Sequence, residues 1–463
     1  MLLRLAIRGF KNLRNVEIRF GPLTCFVGTN GVGKSNIFDA IQFLRRLADE
    51  EIQIAAAAVR SPAAGTFGPL DLFWNADPKG TIEFEADMIV PGESVDDFGV
   101  EVHPTISILR YQVSFRYAAE PRPRLELVKE DLRHIGIGDA RAAIGYEHSL
   151  EFRKSLVTGR RFGKAFISTS TADENGTGGS AVTLHADGGS RGRGIPPGHS
   201  PRTVLGGTGS ADYPTVVAAR REMSSWRALH LEPSALRAPD PFGSPESVDE
   251  HGRHIAATLA RLAATSKDPA RVYAEVANRL ADLYPEVAAI TSRADPVHKQ
   301  HLLELRERGS TSWLGARAIS DGTLRFLALV AMLMDSRSSA VVCMEEPENG
   351  IHPDRIPEIV KVLRDYAVDP KLAVDTENPA RQVVLNSHSP DVLKQLDVPE
   401  VLFVGTVSSG EGRWAAVFPI DAIGNWRSGM PTVPLARLED LLGGAPLSAE
   451  LKSRQLDLFG SAR

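Results

Sequence analysis

The sequence predicts an α/β fold built around a phosphate-binding loop, interrupted by a β-rich and helical insertion. Three observations predict it. An apolar run, Leu23 to Val27, leads directly into Gly28-Thr29-Asn30-Gly31-Val32-Gly33-Lys34-Ser35, and helix-periodic residues follow. From Lys299 onward, short apolar strand-like runs alternate with helical ones, the order expected of a mainly parallel sheet. Between these halves lie alternating β-type runs and a glycine-rich stretch.

Composition fits this class. The 463 residues are 43% apolar and 24% charged, as in average globular chains. Lys plus Arg number 53 against 58 Asp plus Glu, a net of −5, which excludes a chain that coats nucleic acid through bulk charge but leaves room for a local basic groove. The two cysteines, Cys25 and Cys343, sit inside apolar runs, so a disulfide scaffold is excluded and a reducing cytoplasm is the expected setting. The longest apolar run, Phe326 to Met334, is nine residues, half of the ~18 needed to span a membrane. Arg4 and Arg8 interrupt the apolar N-terminus, unlike a signal peptide.

Taken in order, Leu2 to Ile7 and Val16 to Phe20 read as strands joined by a turn at Lys11 and Asn12. The helix after Ser35 puts Ile37, Ile41, Leu44 and Ala48 on one face, with Gln42, Arg45, Arg46 and Asp49 opposite. Strand patterns recur in 81–90, 105–118 and 124–132. Residues 176–209 hold eleven glycines and read as a hairpin-bearing, partly mobile surface region, in which Arg191, Arg193 and Arg202 are candidate nucleic-acid contacts. Helical spacing returns at His254 to Leu262 and Val272 to Leu283, too briefly for a coiled-coil arm. Then follow a strand (Leu302 to Leu305), a helix (Leu324 to Met334), a strand (Ala340 to Met344), a helix (Arg355 to Tyr366), a strand (Val383 to Leu385) and short helices at Asp391 to Leu396 and Leu435 to Leu442. The expected organisation is an N-terminal lobe (1–75), a β- and glycine-rich insertion (76–247), a helical segment (248–298), a C-terminal lobe (299–425), and a helix with a polar tail (426–463).

Residues 28–35 match G-x-x-x-x-G-K-[ST] in its strand–loop–helix context. The glycines let successive backbone N–H groups face a phosphate, and the helix start adds its positive dipole end. Lys34 is expected at the β/γ-phosphates and the Ser35 hydroxyl on Mg²⁺, with Asn36 completing the cofactor-binding set for ATP. A second constellation ends an apolar run in Glu345-Glu346-Pro347: Glu345 for the metal, Glu346 as general base for water. A third, Asn386-Ser387-His388, ends the next strand, where ligands of parallel sheets gather. A fourth, Ser320-Asp321-Gly322, opens an apolar helix and offers an N-cap or an anion site.

These pieces, in this order, resemble the ABC-type ATPases of the SMC, RecF and OLD families. IRGFKNLRNVEIRFGPLTCFVGTNGVGKSNIFDAI resembles their opening, EEPENGIHP their Walker B and D-loop, NSHSPDVL their switch histidine, and SDGTLRFLAL the variant signature of the OLD-like branch. The resemblance covers about 1–50 and 300–405. It implies an ABC-ATPase head fold that closes as a homodimer around two ATP molecules. Ser320, Asp321 and Gly322 would then act across the dimer on ATP held by Gly28 to Ser35, Glu346 and His388 on the nucleotide of their own chain, and Asn349 at the seam. Two departures stand out: Glu345 replaces the commoner Asp, and residues 60 to 110 offer no convincing Q-loop glutamine.

The 75 residues after His388 contain no Asp-x-Asp pair, so no TOPRIM nuclease is expected within this chain. The resemblance then implies an ATPase that gates a separately encoded effector, such as a TOPRIM-type nuclease, in anti-phage defence. The alternatives are a RecF-like DNA-binding ATPase of repair or recombination, and a nucleotide-dependent scaffold with negligible turnover.

Overall fold

The computed structural model describes residues 1–59, 68–159, 165–170, 181–188, 190–337, 340–410, 412–421, 425–427, 430–447 and 451. The chain divides into two compact units. Met1–Trp226, Asp369–Gln382 and Asp397–Arg463 form the first; Arg227–Val368 and Val383–Leu396 form the second.

In the first unit, eight strands make one antiparallel sheet. Their order is Arg191–Ile195, Ala181–His185, Ile167–Ser170, Arg124–His134, Ile108–Ala118, Thr81–Ile89, Leu2–Phe10 and Leu13–Arg19. Period-2 alternation explains the placement: Leu5 and Ile7 are fully buried, whereas Arg4, on the other face, bridges Glu17 at 2.8 Å and also pairs with Glu85. Leu2–Phe10 pairs along its length with Thr81–Ile89, so the β-rich stretch read as an insertion from residue 76 continues the sheet of the N-terminal lobe.

The strand before the phosphate-binding loop, Leu23–Val27, belongs to another sheet, parallel to Val401–Ser409, which in turn pairs antiparallel with Gly412–Asp421. The helix Lys34–Leu47 packs on both sheets through aromatic rings. Phe43 lies 6.1 Å from Phe10 and 5.7 Å from both Phe84 and Phe115, while Phe38 lies 6.3 Å from Phe26. Its buried surface is therefore wider than the one face that the Ile37/Ile41/Leu44 spacing marks.

The glycine-rich region differs in part from its sequence reading. Ala181–His185 and Arg191–Ile195 do form a hairpin. Yet Thr203, Val204 and Leu205 are buried, because the Glu130 carboxylate accepts the backbone N–H groups of Val204 and Leu205 at 2.6 and 2.8 Å. Arg202 donates to the Asp49 carbonyl at 2.9 Å. Residues 176–180 and 189, like the Arg191 and Arg193 side chains, lie outside the described residues.

The strands Trp226–Leu229, Val341–Glu345 and Gln382–Ser387, which apart from Trp226 and Gln382 belong to the second unit, are neighbours in that order. Helices Ile255–Thr265, Pro269–Leu283, Asp321–Met334 and Ile356–Tyr366 accompany them. The first strand departs from the mainly parallel sheet expected from Lys299 onward: Gln300–Glu307 pairs antiparallel with Val287–Asp295, and Asp240–Pro241 and Leu314–Gly315 extend that sheet. The reason is local. Only residues 296–299 separate the two long strands, with Lys299 at φ 53°, and so short a link permits only a hairpin. No helix among the described residues is long and apolar enough to cross a membrane.

Candidate nucleotide site

The phosphate-binding loop lies in the first unit. Gly28 admits no side chain, since a Cβ there would strike the Val404 carbonyl. Gly33 sits at φ 114°, where a Cβ would come within 2.5 Å of the Asn12 amide. Gly33 is also the N-cap of Lys34–Leu47; it supplies no capping side chain, and the first turn holds no acidic residue. The helix start thus keeps its positive end for an anion. Lys34, 7% exposed, folds over the loop and donates from Nζ to the carbonyls of Gly28 at 2.6 Å and Thr29 at 3.0 Å. Val32 is buried, Thr29 and Ser35 are half-buried, and Asn30 and Gly31 are exposed at the tip.

Sequence reading missed what steadies this loop. Asn12, in the turn between the first two strands, donates to the Val32 carbonyl at 3.1 Å and accepts the Asn36 side-chain amide at 2.7 Å. Its own carbonyl accepts the Ala415 N–H at 2.9 Å. Beside it Lys11 pairs with Asp39 at 2.7 Å. A cavity of about 470 Å³ opens here, lined among others by Asn12, Ser35, Asn36, Trp74, Asn75 and Arg413. Its size falls within the range usual for small-molecule sites. The Arg14 guanidinium lies over Trp74 and Trp414, 4.6 and 4.9 Å from the rings, and fixes the indole nearest the cavity. Ser35 and Asn36 were marked by the motif and Lys11-Asn12 by its turn, whereas Trp74 and Arg413 come from distant segments.

The second unit holds the acids and the histidine. Val341–Glu345 is buried until its last residue, Glu345. Burial, and then the Glu345 charge, push the Cys343 thiol well up, so it stays protonated and inert. Glu346 takes φ 49°, a left-handed conformation rare for a residue with a side chain. The surroundings hold it there. Its N–H donates to the Asn386 carbonyl at 2.9 Å, Oε2 accepts the Asn349 amide at 2.7 Å, and Oε1 lies 2.9 Å from His388 Nδ1. Glu346, His388 and Asn349 therefore meet at one strand end. Glu345, Glu346, Asn349 and Arg325 also line a cavity of about 270 Å³.

The helix Asp321–Met334 starts in the same unit. Ser320 is its N-cap and accepts the Thr323 N–H at 3.2 Å. Asp321 forms an ion pair with Arg237. A Cβ on Gly322 would lie 2.8 Å from the Gly350 carbonyl, so this glycine lets the helix start pack against the turn after Glu346.

Comparisons with known proteins match parts of this chain. Residues 1–84 match the family described as "AAA ATPase domain". Residues 211–394 match the family described as "AAA domain, putative AbiEii toxin, Type IV TA system". The DNA replication and repair protein RecF of Phocaeicola vulgatus is 44% identical over 45 residues, and that of Bacteroides thetaiotaomicron 51% over 45 residues. Two segments of the chain thus match AAA ATPase families, and a short segment is similar to RecF. The matched segment is 10% of this chain and spans only 12% of the length of either RecF. An SMC head bound to the C-winged helix domain of ScpA aligns over 90% of this chain and 98% of its own at 13% identity and a TM-score of 0.46. The SMC head domain from Thermotoga maritima aligns over 91% and 99% at 14% identity and a TM-score of 0.37. The two family matches, 1–84 and 211–394, lie far apart in the sequence.

Proposed function

We propose that this ABC-type ATPase binds ATP with Mg²⁺ on residues 28–36 and hydrolyses it with Glu346 as general base. The observation that carries the reading is the held Glu346: a strained carboxylate at a strand end, fixed by Asn349, Asn386 and His388. Strain of this kind costs about 1–3 kcal/mol and gathers where chemistry needs a fixed geometry.

The residues suit the cofactor. The uncapped helix start and the Lys34 ammonium suit phosphate oxygens. The Ser35 hydroxyl and the Glu345 carboxylate are oxygen donors of the kind Mg²⁺ prefers. When bound, Mg²⁺ would neutralise charge that develops on the phosphates. Lys34 turns from its loop carbonyls to the β/γ-phosphates. Ser35, Asn36 and Trp74 line a cavity of the size needed for the nucleoside end. Glu346 takes the proton of the attacking water, and His388, 2.9 Å away, keeps that carboxylate oriented. Ser320, Asp321 and Gly322 contact the nucleotide of a second copy, so ATP closes a homodimer and hydrolysis reopens it. In the cell, closure gates a separate effector in anti-phage defence, a role supported by the OLD-like signature and by the toxin–antitoxin wording of one matched family. The RecF matches favour a second reading, an ATPase that binds DNA directly.

The test is light scattering of wild type and Glu346→Gln, with and without ATP and Mg²⁺. ATP-dependent dimers that persist in Glu346→Gln, with hydrolysis down about 10²–10⁴-fold, are expected. Undiminished hydrolysis in Glu346→Gln would remove the general-base assignment.

A further inference from the structure

The turn after Val341–Glu345 carries a third carboxylate that neither metal binding nor base catalysis uses. Glu348 is 9% exposed, and its Oε1 accepts the Ser387 hydroxyl at 2.5 Å. Its Oε2 is buried with no hydrogen-bond partner among the described residues. Ser387, fully buried, is the residue between Asn386 and His388, and its Oγ also accepts the Ser389 N–H at 3.0 Å.

A buried acid with half its hydrogen-bonding capacity unmet costs free energy, and an apolar pair of the same shape is often as stable or more so. Stability therefore gives no reason for this pair. Its placement does. Asn386 receives the Glu346 N–H, and His388 meets the Glu346 carboxylate. The Glu348–Ser387 bond ties the same two segments together between those contacts.

We propose that Glu348 is a positioning residue. Acting through Ser387, it locks the His388 segment to the Glu346 turn and so keeps the imidazole and the general base in register. This rests on the hydrolysis reading for Glu346, but the link itself can be read separately.

The experiment compares Glu348→Ala, Glu348→Gln and Ser387→Ala with wild type. In Glu348→Ala, kcat for ATP falls about 100-fold, the loss expected of a displacement near 1 Å. Nucleotide Kd stays within about twofold, as for an interaction used only in the transition state. Glu348→Gln, whose amide oxygen still accepts the Ser387 hydroxyl, recovers most of the rate. The double variant with Ser387→Ala is no slower than either single one, because both remove one bond. The ¹⁵N resonances of the His388 imidazole, recorded at a single pH, shift in Glu348→Ala and return in Glu348→Gln. Unchanged resonances together with a kcat within about threefold of wild type overturn the proposal. If wild type itself shows no hydrolysis, the general-base reading fails, and the His388 resonances alone decide the link. If Glu348→Ala does not fold, Ser387→Ala takes its place in every comparison.

Discussion

Lys34 is held by its own loop. Its ammonium is satisfied by the Gly28 and Thr29 carbonyls, so the loop keeps its shape around a nearly buried charge. Phosphate oxygens would replace those carbonyls with charge-assisted bonds, each worth about 1.5–3 kcal/mol. Lys34→Ala should therefore weaken ATP binding by about 10- to 100-fold in a fluorescent-nucleotide titration. An unchanged affinity would place the nucleotide elsewhere. The motif made Lys34 legible from the sequence, because Gly28, Gly33 and Lys34 do their work within one short loop. Asn12 was not legible, since its amide bonds Val32 and Asn36 only once the chain has folded back.

Among elements, the strand Arg124–His134 fastens the loop after the glycine-rich hairpin. Burial, opposed by the bonds from Leu205, Val204 and Tyr111, raises the Glu130 carboxyl to about 7. An acid raised in the folded state favours its protonated form. Its contribution is fully present below the unfolded value near 4.5 and is lost as pH rises through about 7. Urea unfolding should thus show stability falling between about pH 5 and 8, by up to about 3 kcal/mol, with Glu130→Gln flattening the profile. A second element-scale test concerns the helix Asp321–Met334. Gly322→Ala forces a Cβ to 2.8 Å from the Gly350 carbonyl, and overpacking of this kind costs about 1–3 kcal/mol. Thermal unfolding should show the drop, whereas a neutral result would mean that the helix start yields freely. The periodicity of Asp321–Met334, Ile356–Tyr366 and Pro269–Leu283 announced these helices. Nothing in the sequence announced the Glu130 clamp, because an acid in a strand looks like any solvated face until its strand is placed in the sheet.

At the scale of the whole molecule, charge separates the two readings of cellular role. A net of −5 leaves direct DNA binding dependent on a local basic surface. A RecF-like DNA clamp should show duplex affinity whose logarithm falls linearly with the logarithm of salt, together with DNA-stimulated hydrolysis. The effector-gating reading instead expects hydrolysis indifferent to DNA and an effector that co-purifies from the native host. The sequence by itself determined the phosphate loop, the acids, the histidine and the helices of the second unit. Each is written in contiguous residues whose spacing is read by local geometry. Tertiary structure alone decided that residues 81–134 share a sheet with the N-terminal strands and that 287–307 pair antiparallel. It alone seated Asn12 on the loop and brought Glu348 to Ser387. Strand pairing and buried hydrogen bonds join residues tens to hundreds of positions apart, and no local pattern encodes which partner a distant segment will bring.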